Sequence, residues 1–259
     1  MNNIHTVEPA ELGKLLLQAG IALLNAGAGS NRIITNLNRL AAAFGYDANI
    51  DLSTKNISLS LHTELQENIF SGTRSMSSQP GSNFRVISAI SRLSWDVSTK
   101  KLGLAETLSE LEKAVNADEY QRWVILLVVG LAGASFCYTF GGNVIEMGIT
   151  FLGTVSGLFI KQELIKKKFN IYVVTYCSAV ISALVIGIGW KVGINPMVDH
   201  AFATCTLFLI PGVPLINSVI DLMDGYIING IDRGINASIH AFGIAAGLAT
   251  ILYTFNFHG

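Results

Sequence analysis

From residue 123 to residue 160 the chain runs for 38 residues with one charged side chain, Glu146. As helix, that run is about 57 Å long at 1.5 Å per residue, enough to cross a ~30 Å hydrocarbon core twice. The spacing predicts two membrane helices, 123–140 and 144–160, turning at "GGN" (141–143). Asn143 and Glu146 stand three apart, so Glu146 reads either as the acid of a capping box or as a functional carboxylate. Further spans are expected at 169–190, 200–222 and 235–255, five in all. Charge supports the division. Residues 1–122 carry 11 basic and 12 acidic side chains, and residues 123–259 carry 6 and 6. Only 14% of the chain is charged, against about 25% in an ordinary soluble domain. The segment "KQELIKKK" (161–168) holds four lysines and is expected to stay in the cytoplasm. On that orientation the N-terminus is expected in the cytoplasm and the C-terminus outside. Gly153/Gly157 and Gly243/Gly247 form GxxxG pairs that let helices approach closely in lipid.

The front 120 residues read differently. Leu12, Leu15, Leu16, Ala19 and Leu23 share one face of a helix over 10–26, which favours a packed amphipathic helix over a cleaved signal segment. "AGAGSN" ends it, with Ser30 or Asn31 expected to cap a second helix over 31–44. Ile33, Ile34, Leu37, Leu40 and Ala41 are expected to point inward from that helix. "DANIDLS", "NISLSLH" and "NIFSGTR" alternate as strands do, and "SSQPGS" (77–82) reads as a loop. A third helix is expected over 82–97, with Phe84, Ile87, Ile90 and Leu93 or Ser94 on its inner side, and a fourth over 104–116. The expected fold is a small α+β cytoplasmic domain (1–120) followed by an α-helical membrane domain of five transmembrane helices (121–259). No catalytic signature, cofactor motif or metal-binding spacing is present. Cys137, Cys177 and Cys205 lie far apart in apolar stretches. With a net charge of −1, no basic patch points to nucleic acid.

The fourth span breaks the rules of a membrane helix. Pro211 and Pro214 each remove a backbone donor and clash with the preceding turn, so the helix should kink or unwind there. In hydrocarbon, freed carbonyls need cover from protein or water. Pro214, Asn217, Asp221 and Asp224 then recur at helical spacing, and Asp232, Asn236 and His240 do so in the fifth span. Interrupted helices of this kind hold substrates in transporters, and an intramembrane histidine can carry a proton. Asn217 and His240 are expected at similar depth. Two readings stand for Asp221 and Asp224, a substrate or proton site and a water interface at a helix end. His240 likewise reads either as a proton carrier or as a donor to a carbonyl.

At "PGVPLINSVIDLMDGYIINGIDRG" the chain resembles the threonine/serine exporter family, which carries a Pro-Gly-x-Pro segment followed by Asn, Asp and Gly. "AGAGSNRIITNLNRLAAAFG", "ISLSLH", the Thr73–Arg74 pair and "NFRVISAISRLS" resemble the family's front domain in the same order. The resemblance implies proton-driven export of small polar metabolites, with Pro211, Gly212, Pro214, Asn217 and Asp221 at the functional segment. Asn83, Thr73 and Arg74 are family-like positions without an assigned role. The chain has only the first membrane half, and so resembles the large subunit of the family's split form, which includes an inner-membrane succinate exporter. That implies a small membrane subunit as partner, a higher oligomer, and a carboxylate substrate such as threonine, serine or succinate. A membrane-anchored enzyme or regulator acting through the front domain, and a passive pore, are the competing functions.

Overall fold

Pro9 opens the first helix, where its missing N–H leaves no bond unmade. In the computed structural model, which describes residues 7–62, 67–76, 81–117, 120–194 and 198–256, this helix, α1, spans Pro9–Asn25. Its five expected inward residues are all at most 2% exposed. α2 (Ser30–Ala43) follows, then three antiparallel strands in the order β1 (Asp47–Leu52), β2 (Asn56–His62), β3 (Asn68–Ser75). β2 sits in the middle of the sheet, with Ile57 opposite Leu52 on one side and Arg74 on the other. Its Ile57, Leu59 and Leu61 are buried on the face that α1 covers. α3 (Phe84–Lys100) and α4 (Leu104–Val115) complete the layer. The loop expected at 77–82 lies mostly outside the described residues.

Two inward assignments change. Phe84 is 59% exposed, and Val86 and Val97 fill the α3 core positions instead. Ile34 is only half-buried while Asn36 is buried. Asn36 donates to Ser91 Oγ and to the Arg32 carbonyl and accepts from Ser94 Oγ. A polar residue can replace an apolar one in a core when its hydrogen bonds are made.

The apolar helices are α5 (Arg122–Thr139), α6 (Val144–Lys166), α7 (Ile171–Lys191) and α10 (Ile227–Thr254), each long and apolar enough to cross a membrane. A fifth candidate is a bent pair, Asp199–Leu209, which contains α8 (Asp199–Thr204), followed by α9 (Gly212–Met223). Asn143 caps α6 and Glu146 bonds back to the Asn143 N–H, so the capping box is present. α6 runs six residues beyond the expected end at 160, held there by Arg122, which bonds Gln162 and Glu163. Glycines set the helix spacing. A Cβ on Gly157 would fall 1.9 Å from Ser182 Oγ, and one on Gly247 would fall 2.7 Å from Ala179 Cβ, so both GxxxG faces lie against α7.

Contacts divide the chain into two units that do not follow chain order. One is Met1–Asp118 with Val213–Gly234, and the other is Glu119–Gly212 with Ile235–Gly259. Residues 213–234 thus group with residues 1–118 rather than with the helices on either side of them in sequence.

Candidate functional site

The site in the front unit starts from a tight turn. Gly27 adopts φ +77°, and a Cβ there would meet the Gly81 carbonyl at 2.5 Å. This glycine lets Ala26–Gly29 leave α1 and turn into α2 with the carbonyls of Gly27 and Ala28 pointing outward from the turn. Asn217 Nδ2 donates to the Gly27 carbonyl (2.9 Å) and Arg233 donates to the Ala28 carbonyl (2.8 Å). The Asn83 N–H donates to the Ala26 carbonyl (3.0 Å), and the Asn83 side chain caps α3 by accepting from Val86 N–H.

Asp221 is fully buried. Its carboxylate accepts from the Ser30 N–H and the Ser30 hydroxyl, both at 3.0 Å, and pairs with Arg233 Nε at 3.2 Å. Ser30 is the first residue of α2, so the carboxylate rests where the helix dipole favours negative charge. Asn229 donates to Ser30 Oγ (3.3 Å) and to the Leu52 carbonyl (3.0 Å). Apart from the Leu52 carbonyl, the bonded partners of Asn217, Asp221, Asn229 and Arg233 named here come from two stretches, Gly27–Ser30 and Asn217–Arg233. The two sequence motifs singled out separately are thus bonded to each other.

This arrangement corrects two expectations. Gly29, not Ser30 or Asn31, is the N-cap of α2, because the Ser30 hydroxyl is taken by Asp221. Asp221 does not mark a water interface, since it has no exposed surface. Asn217 and Asp224 instead line an open cleft of about 690 Å³, together with Asn31, Arg32, Arg39 and Trp95. Arg39 is held in place by Asn36 Oδ1 and Ser94 Oγ and stacks on Trp95, 3.9 Å from the ring centroid. Thr73 shares a hydrogen bond with Ser58 across the sheet, and Arg74 is exposed on β3. Ser30, Asn229 and Arg233 were missed. Ser30 is legible in sequence only as a possible helix cap, and Asn229 and Arg233 only as short polar spacing just before an apolar run.

The second group lies in the helical unit. Here the chain leaves regular helix over Cys205–Pro211, with a short 3₁₀ turn at Leu207–Leu209. The break starts six residues before Pro211, and helix resumes at Gly212 rather than Pro214. Turn bonds from Leu209 N–H to the Thr206 carbonyl and from Ile210 N–H to the Leu207 carbonyl re-use part of the freed backbone. Thr154 Oγ1 reaches the Cys205 carbonyl at 3.4 Å. On α10, Asn236 bonds the Tyr172 hydroxyl, and His240 Nδ1 lies 2.8 Å from Thr175 Oγ1. That hydroxyl already donates to the Ile171 carbonyl. It therefore accepts from His240, which puts the ring hydrogen on Nδ1 and leaves Nε2 with a lone pair. Asn217 and His240 belong to different units. Glu146, in addition to its capping bond, faces His200 Nδ1 at 3.2 Å.

Comparison with known proteins identifies the family. The sequence model of the family described as "Putative threonine/serine exporter" matches residues 14–255. A protein of Escherichia coli (strain K12) described as "Probable succinate transporter subunit YjjP" is 26% identical, over 99% of each chain. The protein of the same description from Klebsiella aerogenes is 25% identical, over 97% of each. No solved structure matches. The chain is a multi-pass membrane transport protein, and it belongs to the threonine/serine exporter family.

Proposed function

We propose that this chain is one subunit of a secondary-active exporter of small carboxylate metabolites in a bacterial inner membrane. The driving force is the proton gradient, and the partner is a small membrane subunit of the same family. In this reading residues 1–120 form the cytoplasmic domain, the C-terminus is external, and the complex forms a higher oligomer. The observation that carries it is the loss of regular helix over Cys205–Pro211 inside a candidate span. Non-helical backbone at membrane depth is tolerated where it is buried in protein or lines a cavity, and in transporters such breaks hold the substrate. Pro211, Gly212 and Pro214 shape the break. Asn217 offers an amide in the front-unit cleft, and Asp221 acts by holding Ser30 and Arg233 in position. His240, with Nε2 able to take a proton, is the candidate for coupling. The description of the two relatives as probable succinate transporter subunits supports a dicarboxylate and a second subunit.

Inverted vesicles containing the chain and its small partner test this reading with labelled succinate, threonine and serine. At least one is expected to accumulate under an imposed proton gradient, and a protonophore is expected to abolish the uptake. Uptake that a protonophore leaves unchanged points to a passive pore, and no uptake of any of the three ends the exporter reading.

A further inference from the structure

Beyond Ile160, where the apolar run ends in sequence, α6 continues through Lys161 to Lys166. Lys161 is five residues, about 7.5 Å of helix, inward from the lysines at 166–168. It is half-buried, and among the described residues it forms no ion pair. Its ammonium lies 6.0 Å from the centroid of the Phe208 ring, and Phe208 belongs to the 3₁₀ turn of the broken segment. A lysine inside a membrane bundle is costly without a counter-charge, and such residues mark substrate paths. An aromatic face at this distance gives weak attraction and leaves the ammonium's hydrogen-bond donors unused.

A polar line leads to it. Thr150, Thr154, Gly157 and Lys161 fall at i, i+4, i+7 and i+11, on one face of α6. Ser182 of α7 meets that face at Gly157, where a Cβ would fall 1.9 Å from the Ser182 hydroxyl and 3.1 Å from Phe208. The missing side chain of Gly157 is what lets both approach. The hydroxyls of Thr150 and Ser182 are fully buried and make no hydrogen bond. Buried hydroxyls are normally paired, so two orphans on the line that ends at an unpaired ammonium indicate a path built for a polar guest.

We propose that Lys161 is the cation that receives the carboxylate of the exported metabolite in the helical unit, with the Thr150, Thr154 and Ser182 hydroxyls along its route. This rests on the carboxylate-export reading above. The ligand class is a small organic anion. Its carboxylate supplies the counter-charge that no described residue supplies, while the Phe208 ring flanks the ammonium at 6.0 Å from its centroid.

The test uses inverted vesicles holding the chain and its partner subunit, with labelled succinate, threonine and serine as probes. Lys161→Gln, Lys161→Arg and Lys191→Gln are compared with the natural chain. Lys191 is a fair control, since its ammonium also faces a ring, that of Phe255 at 5.9 Å. For a metabolite the natural chain moves, Lys161→Gln is expected to raise KM about tenfold or more, the scale of a lost charged hydrogen bond. Lys161→Arg should keep much of the affinity, and Lys191→Gln should match the natural chain. Anion-induced thermal stabilisation of the detergent-purified complex should disappear in Lys161→Gln alone. Transport by Lys161→Gln with unchanged KM, or equal impairment of Lys161→Gln and Lys191→Gln, overturns the assignment and leaves the exporter reading standing. If the natural chain moves none of the three, the exporter reading falls first and the site falls with it.

Discussion

Asp221 keeps a carboxylate in full burial, which is tolerable only because two hydrogen bonds from Ser30 and the Arg233 guanidinium surround it. Removing one partner of such a pair leaves the other charge uncompensated, at a cost of about 3–5 kcal/mol. Asp221→Asn is therefore expected to lower the thermal midpoint of the purified protein markedly. Asn217 gives up less. Asn217→Ala loses one neutral hydrogen bond to the Gly27 carbonyl, on the order of 0.5–1.5 kcal/mol. It should leave well-folded protein whose export is nonetheless reduced. Parallel melting curves and vesicle transport for the two variants check this. Normal export by folded Asn217→Ala would remove that residue from the substrate path. The aspartate and the asparagine stood out in sequence because they recur at helical spacing in an apolar run. Nothing in that spacing distinguished the buried clip from the cleft-lining amide, because burial is set by what packs on the stripe.

At the scale of elements, the strands of the front domain were legible because β2 alternates serine with Ile57, Leu59 and Leu61, and only one face of the sheet is covered. The helices were legible for the same kind of reason. The break in the fourth span was foreseen at Pro211 but not at Cys205. No proline or glycine lies between Thr204 and Ile210, so that part of the interruption comes from its surroundings. Thr154 bonds the Cys205 carbonyl, and the 3₁₀ turn takes up the next two carbonyls. The extra turns of α6 have a similar origin in Arg122, which holds Gln162 and Glu163. The glycine pairs, by contrast, act as their spacing says. Gly247→Leu would drive a side chain into Ala179 Cβ at 2.7 Å and the Tyr176 carbonyl at 3.0 Å. Overpacking of that kind costs roughly 1–3 kcal/mol, so a lower yield of folded protein and an earlier melt are expected. An unchanged melt would show that α10 can shift along α7 without loss.

For the whole molecule, the number of crossings decides where the chain ends. Among the described residues four helices qualify singly, and the bent pair makes a fifth if it crosses as one span. An odd number puts the two termini on opposite sides. On the proposed orientation, with the front domain in the cytoplasm, a C-terminal alkaline phosphatase fusion is expected to be active, as that enzyme matures only outside the cytoplasm, where disulfides form. An inactive phosphatase together with a fluorescent cytoplasmic reporter at the same position would mean that the bent pair turns back without crossing. The sequence alone determined which segments are apolar enough for lipid, which alternate as strands, and where prolines forbid helix, since these depend on each residue's own solvation and backbone geometry. Only the tertiary structure decided that residues 213–234 group with the front domain and that Asp221 is clamped by Ser30 and Arg233. It alone placed Lys161 beside Phe208 without an ion pair among the described residues. Those outcomes depend on which distant side chains come to share one low-dielectric site, and local pattern carries no record of that.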